Sequence, residues 1–207
     1  MEKEEFLKGR LYAGLVHYPI KGKDGNITQT SITNLDVHDI ARTSRTYDLG
    51  GYYLISPPPC QYELLNKILR HWSEGFGADY NKDRKDALSI VSIAESIEAA
   101  KESIKKQTGR DLKVIVTDAH SHPNNPRNIS CNLLKSMLKS YDINFLLLFG
   151  TGWGLSDAVI ERADFILEPV RALVNHNYNH LSVRGAAAII IDRIIGESNF
   201  EWARNKH

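Results

Sequence analysis

Five consecutive apolar residues, Phe145 to Phe149, run without interruption into Gly150-Thr-Gly-Trp-Gly-Leu155. With no polar residue alternating, the segment reads as a strand covered on both faces, the environment of a parallel sheet layered by helices. Such a strand needs neighbours. Leu11 to Ile20 predicts a buried strand stopped at Pro19, and Tyr52 to Ser56 a second, ended by three prolines. Val114 to Thr117 predicts a short strand, and Phe165 to Leu167 one closed by Glu168-Pro169. Helices fall between them. Val37, Ile40, Ala41 and Ser44 recur at helical spacing behind an Asn34 cap, and Leu64, Leu65, Ile68, Leu69 and Trp72 mark another helix ending near Gly75. The polar stretch from Gly75 to Lys85 reads as a loop. A longer helix is expected through Ala87, Ile90, Val91, Ala94, Ile97 and Ile104 to Gly109, and another through Leu133, Leu134, Met137 and Leu138. Ser156 to Ala163 predicts a short helix, and the last begins near Ser182 with Val183, Ala186, Ala187, Ile190, Ile191, Ile194 and Ile195 on one stripe. Alternation of this kind predicts an α/β fold, a mainly parallel sheet with helices on both faces.

Length permits that architecture as a single domain over residues 1–207. At 207 residues and 23.4 kDa the chain would expose roughly 34,000 Å² unfolded and roughly 10,000 Å² folded, so one core suffices without disulfides or structural metal. A 42% hydrophobic, 25% charged composition excludes disorder and fibrous repeats. Neither Phe145 to Phe149 nor Ala186 to Ile191 approaches the roughly 20 residues needed to span a bilayer, so no membrane role is expected. The net charge of +1 supplies no bulk attraction to nucleic acid, though a local basic patch can hide in a neutral total. Cys60 and Cys131 are far apart and form no CxxC, and the charged start MEKEEFLKGR has no apolar signal region; both suggest a reducing, cytoplasmic setting.

In parallel sheets ligands sit at the carboxyl ends of the strands, so the loops after Phe149 and Leu167 are the first candidates for a site. Gly150, Gly152 and Gly154 would let backbone approach a nucleotide-bearing cofactor, although a plain tight turn uses glycine too. Glu168 lies where a ribose-binding acid of a dinucleotide enzyme belongs, but the pattern is GxGxG rather than GxGxxG. A P-loop fits poorly, because Gly22-Lys23 is followed by Asp24. No metal is expected: His120-Ser-His122 lacks an obvious third ligand and reads as exposed loop histidines. His176 and His180 read as a polar loop lining a site.

These segments resemble a family. LLLFGTGWGLSD (Leu146 to Asp157), ILEPV (Ile166 to Val170) and NHLSVRGAAAIIIDRIIG (Asn179 to Gly196) are similar to the second and third motifs of the SPOUT RNA methyltransferases, the trefoil-knotted class. DVHDIARTSRTY (Asp36 to Tyr47) is similar to the first motif, with Arg42 at its arginine. Together with LVHYP, the set resembles the bacterial stand-alone members that lack an appended RNA-binding domain.

The resemblance implies methyl transfer from S-adenosylmethionine to rRNA or tRNA, at a ribose 2′-oxygen or a base nitrogen, by a homodimer. It implies a C-terminal knot over about residues 145–196, which connection rules treat as a rare exception. It implies cofactor contacts from Phe149, Gly150, Thr151, Gly152 and Gly154, from Leu167, Glu168 and Pro169, and from His180, Leu181, Ser182, Val183 and Ala186. Arg42 would face the reactive methyl and orient the nucleophile or assist proton removal, with Arg45 and Arg184 as RNA contacts. Trp153 would stack on a base or be buried over the loop, burial being the commoner fate of tryptophan. Three features depart from the pattern. The second motif is one residue shorter than in many ribose-methylating members, and Ser182 and Asp36 stand where asparagines are usual. Two rivals stay open at this point: a nicotinamide-dependent oxidoreductase resting on GxGxG and Glu168, and a non-catalytic RNA-binding relic of the fold.

Overall fold

The computed structural model describes residues 7–74, 77, 80–173 and 178–196. The apolar run forms β8 (Asn144–Gly150), and its neighbours complete a seven-stranded sheet: β1 (Arg10–Val16), β4 (Gly51–Ile55), β5 (Val91–Ala94), β6 (Leu112–Thr117), β7 (Asn128–Ile129) and β9 (Phe165–Leu167). The order is β5-β4-β1-β8-β6-β9-β7 and every pairing is parallel. β8 is therefore flanked by β1 and β6, which is why all of Asn144 to Phe149 is buried. A two-stranded antiparallel ribbon, β2 (Ile20–Lys21) with β3 (Ile27–Thr28), stands apart from the sheet.

Side chains of period two divide the core into two layers. Leu11, Ala13 and Leu15 of β1 join Phe145, Leu147 and Phe149 of β8 on one face. There they meet α1 (Asn34–Thr46), α2 (Tyr62–Ser73), α5 (Cys131–Ser140) and α7 (Val183–Ile195) through Ile40, Leu65, Leu134 and Ile190. Tyr12, Val16, Leu146 and Leu148 face the other way, against α4 (Ile97–Thr108) and α6 (Asp157–Arg162) through Ala100, Ile104, Val159 and Ile160. The expected α/β sheet with helices on both faces is what forms.

The long helix expected from Ala87 to Ile104 does not. Its first part is α3 (Lys82–Leu88), which also takes up the end of the polar stretch expected to be loop. Val91 to Ala94 is an edge strand registered on Tyr52 to Ile55 of β4, and the helix starts only at Ile97 behind Ser96, whose hydroxyl accepts from Ala99 N. Ala87, Val91 and Ala94 have helical spacing by coincidence. β4 leaves an open edge of hydrogen-bonding groups, and β-branched Val91 and Ile93 satisfy it. Two boundaries also move. β1 ends at Val16, short of the expected Ile20, and Thr33 caps α1 by accepting from Asp36 N, in place of Asn34.

Candidate functional site

Because all strands of the main sheet run in one direction, the loops after β1, β6, β8 and β9 share one edge. The glycine-rich loop after β8 is held in a tight curl. Thr151 N and Oγ1 both donate to Val16 O, at 3.3 and 3.0 Å, and Thr151 Oγ1 shares a hydrogen bond with Thr30 Oγ1. Trp153 N donates to Lys21 O, and Lys21 N returns a bond to Gly154 O at 2.9 Å. The β2–β3 ribbon thus buttresses the loop from behind. A Cβ on Gly150 would lie 2.4 Å from Leu155 N, so only glycine permits the curl, while Gly154 sits at φ +100 with open space on its side-chain side. Trp153 is 62% exposed at the tip rather than folded over the loop, which corrects the expectation of burial.

The other two segments implied to hold the cofactor meet the first over one apolar layer. Phe149 and Leu167 are buried in the same cluster against which Val170, Val183 and Ala186 pack. Pro169 is half-buried, and His180, Leu181 and Ser182 are exposed ahead of α7, with the Tyr178 ring edge-on to His180 at 5.4 Å between centroids. Residues 174–177, including His176, lie outside the described residues. Ser182, in the place of the family's asparagine, caps α7 by accepting from Gly185 N at 3.2 Å. Glu168 points to α5: its Oε1 accepts from Cys131 N at 2.8 Å, helping Ser130 cap that helix. A carboxylate oriented by a helix N-terminus has a structural role of its own, which weakens the second support of the oxidoreductase reading. Burial and the Glu168 charge push the Cys131 thiol up to about 11, and that cysteine is inert.

Glycine backbone, apolar floor and exposed polar rim suit an adenosine-bearing ligand that binds through main-chain groups. The fit rests on the Gly150 and Gly154 geometry and on an apolar layer shared by all three segments.

The three arginines separate. Arg42 lies on the exposed face of α1 and lines two grooves. One, of about 380 Å³, runs with Asp39, Thr43, Thr46, Tyr47 and Ala188; the other, of about 480 Å³, with Arg45, Thr46, Asp83, Asp86 and Ala87. Its guanidinium forms no hydrogen bond or ion pair among the described residues. Arg45, three residues on, donates Nε to Asp86 Oδ2 at 2.8 Å and pairs with Asp48 at 3.2 Å. Arg184, in the first turn of α7, reaches back to α1 and lies 3.7 Å from both Asp36 and Asp39. Asp36, the other departure from the motif, thus ties the two helices together while its Oδ2 accepts from Thr33 Oγ1 at 2.6 Å.

Two features of this edge escape a sequence reading. His17, just past β1, is fully buried with neither ring nitrogen hydrogen-bonded. Its signal is faint, a polar residue between an apolar run and a proline. The histidine pair after β6 does have a third partner: both His120 and His122 bond Asp118. The alternation Asp-x-His-x-His directly after a strand is the clue that could have found it. Among the described residues no group of histidine, cysteine and carboxylate side chains could hold a metal ion, and no helix is long and apolar enough to cross a membrane.

Known proteins share this fold. A SpoU methyltransferase from Streptomyces viridochromogenes, solved in complex with the cofactor AdoMet, superposes with a TM-score of 0.52 over 94% of this chain and 61% of that one, at 14% identity, which establishes the shared fold. A tRNA (guanine-N(1)-)-methyltransferase from Oleidesulfovibrio alaskensis is 44% identical over 188 residues. That match takes in 91% of this chain but 42% of the relative, so the chain spans less than half the length of that curated protein. An uncharacterized protein from Aquifex aeolicus is 34% identical over 91% of this chain and 89% of its own length. The expected resemblance to an RNA methyltransferase family is borne out by the family match. Matched over residues 10–196, from the first strand to the end of the last helix, the chain belongs to the SAM-dependent RNA methyltransferase family.

Proposed function

We propose that this chain methylates tRNA in the cytoplasm, as a homodimer, with the cofactor in the loops after β8 and β9 and before α7, and with Arg42 directing the acceptor. The observation carrying this reading is the contrast among the arginines. Among the described residues Arg42 has no ion-pair partner and lines both grooves beside α1, whereas carboxylates hold Arg45 and Arg184. Arg45 and Arg184 then shape the charge around the RNA, with phosphate drawing each partly from its acidic partner. The tRNA assignment follows the Oleidesulfovibrio relative, a tRNA (guanine-N(1)-)-methyltransferase. We place the whole chain in one domain and the knot at 145–196, where α7 packs between α1 and α5.

Bound S-adenosylmethionine supplies a methyl group activated on a sulfonium. The chain's own residues position what reacts with it. The Gly150 curl and the apolar floor fix the cofactor's adenosine end and exclude water from beneath it. Arg42, a planar donor fork that stays charged, grips an acceptor-strand phosphate or orients the nucleophile; alignment of the two reacting atoms is the larger part of catalysis for a direct displacement. Along α7, Gly185, Ala186, Ala188 and Ile189 are only half-buried, and Leu35 and Leu181 stand exposed. These incompletely buried apolar residues support the homodimer; light scattering should give twice 23.4 kDa, and a monomer at micromolar concentration would remove the claim.

Calorimetric titration with S-adenosylmethionine, followed by transfer of labelled methyl to total RNA and mapping of the modified nucleotide, tests the function. Binding without transfer would favour the RNA-binding relic. Arg42→Ala should keep cofactor affinity within about twofold and lose about a hundredfold in transfer, the scale of a misaligned acceptor. Equal transfer in that variant removes Arg42 from the mechanism.

A further inference from the structure

Methylating an N–H or O–H group releases a proton, and Arg42 cannot take it, because guanidinium stays protonated in proteins. The connection from β6 to β7 holds the groups that can. Asp118 follows directly on β6 and is 14% exposed in its side chain. Its Oδ1 accepts from His120 N at 2.9 Å and is 3.1 Å from His120 Nδ1, and its Oδ2 is 2.9 Å from His122 Nε2. Burial opposes ionisation of this carboxyl, but those bonds outweigh it and hold it below the usual carboxylate range.

The two imidazoles differ in access. His122 is 26% exposed in its side chain, with its backbone oxygen held by Asn128 Nδ2, and it locks the second carboxylate oxygen. His120 is 84% exposed in its side chain. A carboxylate only accepts, so His120 Nδ1 carries the hydrogen, and in the neutral form of the exposed ring Nε2 presents a lone pair. The other described histidines lack this combination: His17 is enclosed, His38 and His71 pack edge-on to Trp72, and His180 pairs with the Tyr178 ring.

Position adds an independent argument. Thr117 Oγ1 bonds Leu148 O at 3.0 Å, fastening the end of β6 to the strand that carries the glycine loop. Asn179 Nδ2 donates to Ala119 O at 3.2 Å, and the Arg171 guanidinium donates to Ser121 Oγ. The Asp118–His122 segment is therefore bonded on both sides to the chain leading into and out of the proposed cofactor loops. Among the described residues, Asp118, His122 and Arg171 are bonded within this segment, and His180 follows directly on Asn179. Arg127, further along the connection, is spent on the carbonyls of Ile160, Glu161 and Ala163.

We propose that His120, oriented by Asp118, is the general base of the methyl transfer. This rests on the reading that the edge loops hold the cofactor. The acceptor nitrogen or oxygen forms a bond to the methyl carbon as the methyl–sulfur bond breaks, with that electron pair staying on sulfur. The acceptor's proton passes to His120 Nε2, and the resulting imidazolium is stabilised by Asp118 until it returns the proton to solvent.

The test compares the full-length wild type, His120→Ala and Asp118→Asn for transfer of labelled methyl to total RNA across pH, with S-adenosylmethionine affinity measured on the same preparations. His120→Ala, at an exposed position, should bind cofactor within about twofold of wild type and lose about a hundredfold in transfer, the lower end for a general base. It should also lose the limb of the pH profile that rises with pH, and added imidazole should restore part of the rate. Asp118→Asn should reduce the rate and move that limb. An active wild type whose rate and pH profile are unchanged by His120→Ala overturns the assignment and leaves the proposed function standing. A wild type that transfers no methyl to any RNA overturns both.

Discussion

Gly150→Ala is expected to destabilise the protein by about 3 kcal/mol, the upper range for forcing an atom into packed space, and to abolish binding of S-adenosylmethionine. The added Cβ would stand 2.4 Å from Leu155 N, 2.7 Å from Gly154 C and 2.9 Å from Gly154 Cα. All three are backbone atoms and none can rotate away, so the curl itself must open. Opening it pulls on the bonds from Thr151 N to Val16 O and from Trp153 N to Lys21 O. Gly154→Ala offers the internal comparison. Its Cβ would enter open space, and its cost comes from the left-handed backbone alone, about 1 kcal/mol at the low end for such strain. Urea unfolding and calorimetric titration of both variants check the ordering. A Gly150→Ala protein as stable as Gly154→Ala would mean that the loop is not held as closed as its hydrogen bonds indicate.

The second large effect is on acid stability. Burial pushes His17 down from 6.5 to about 4, against the opposing pull of the Asp36 charge and of the nearby Leu15 and Ile55 backbone, and the ring nitrogens make no hydrogen bond of good geometry among the described residues. The folded protein therefore holds His17 neutral where the unfolded chain would protonate it. Above pH 6.5 neither state is charged and there is no penalty. As pH falls from 6.5 to about 4 the unfolded state binds a proton that the folded state refuses, and stability falls; below about 4 the loss is complete. A shift of this size corresponds to about 3 kcal/mol. His17→Leu removes the titration and the unpaired buried nitrogens together. Its stability relative to wild type should rise steadily between pH 7 and pH 4 in urea unfolding, and a constant difference over that window would clear His17 of the effect.

Much of the fold is legible in the chain because burial on two faces and burial on one leave different marks. β8 and β1, covered by helices on both sides, are apolar without alternation, and α7 carries its stripe through every turn. β5 is not legible. As an edge strand of four residues it needs hydrogen bonds from β4 more than it needs a pattern of its own, and Val91 and Ala94 satisfy a helical period equally well. α3 is hidden for a related reason. Only Ala87 and Leu88 of its seven residues are buried, so most of its sequence is the polar text of a surface turn.

The candidate site shows the same division. Gly150, Gly152 and Gly154 after a buried strand announce a tightly curled loop at the sheet's carboxyl edge, and the motif order announces the family; both are local facts written in consecutive residues. Charge state and partnership are not local. Arg42 and Arg45 stand three residues apart on one helix, and nothing in their spacing says that the second is held by Asp86 from another helix while the first has no ion-pair partner among the described residues. Glu168 looks like a ribose acid in the chain and is a helix cap in space. Asp118 becomes the partner of two histidines only once the β6–β7 connection is closed against the sheet edge. The amino-acid sequence by itself determined the strand–helix alternation, the glycine loop and the methyltransferase family, since these depend on short-range pattern and composition. Which arginine is available, where Glu168 points, and that His17 is sealed without a partner were decided by tertiary structure alone, because hydrogen bonding and desolvation depend on groups far apart in the chain that only the folded sheet brings within a few ångströms.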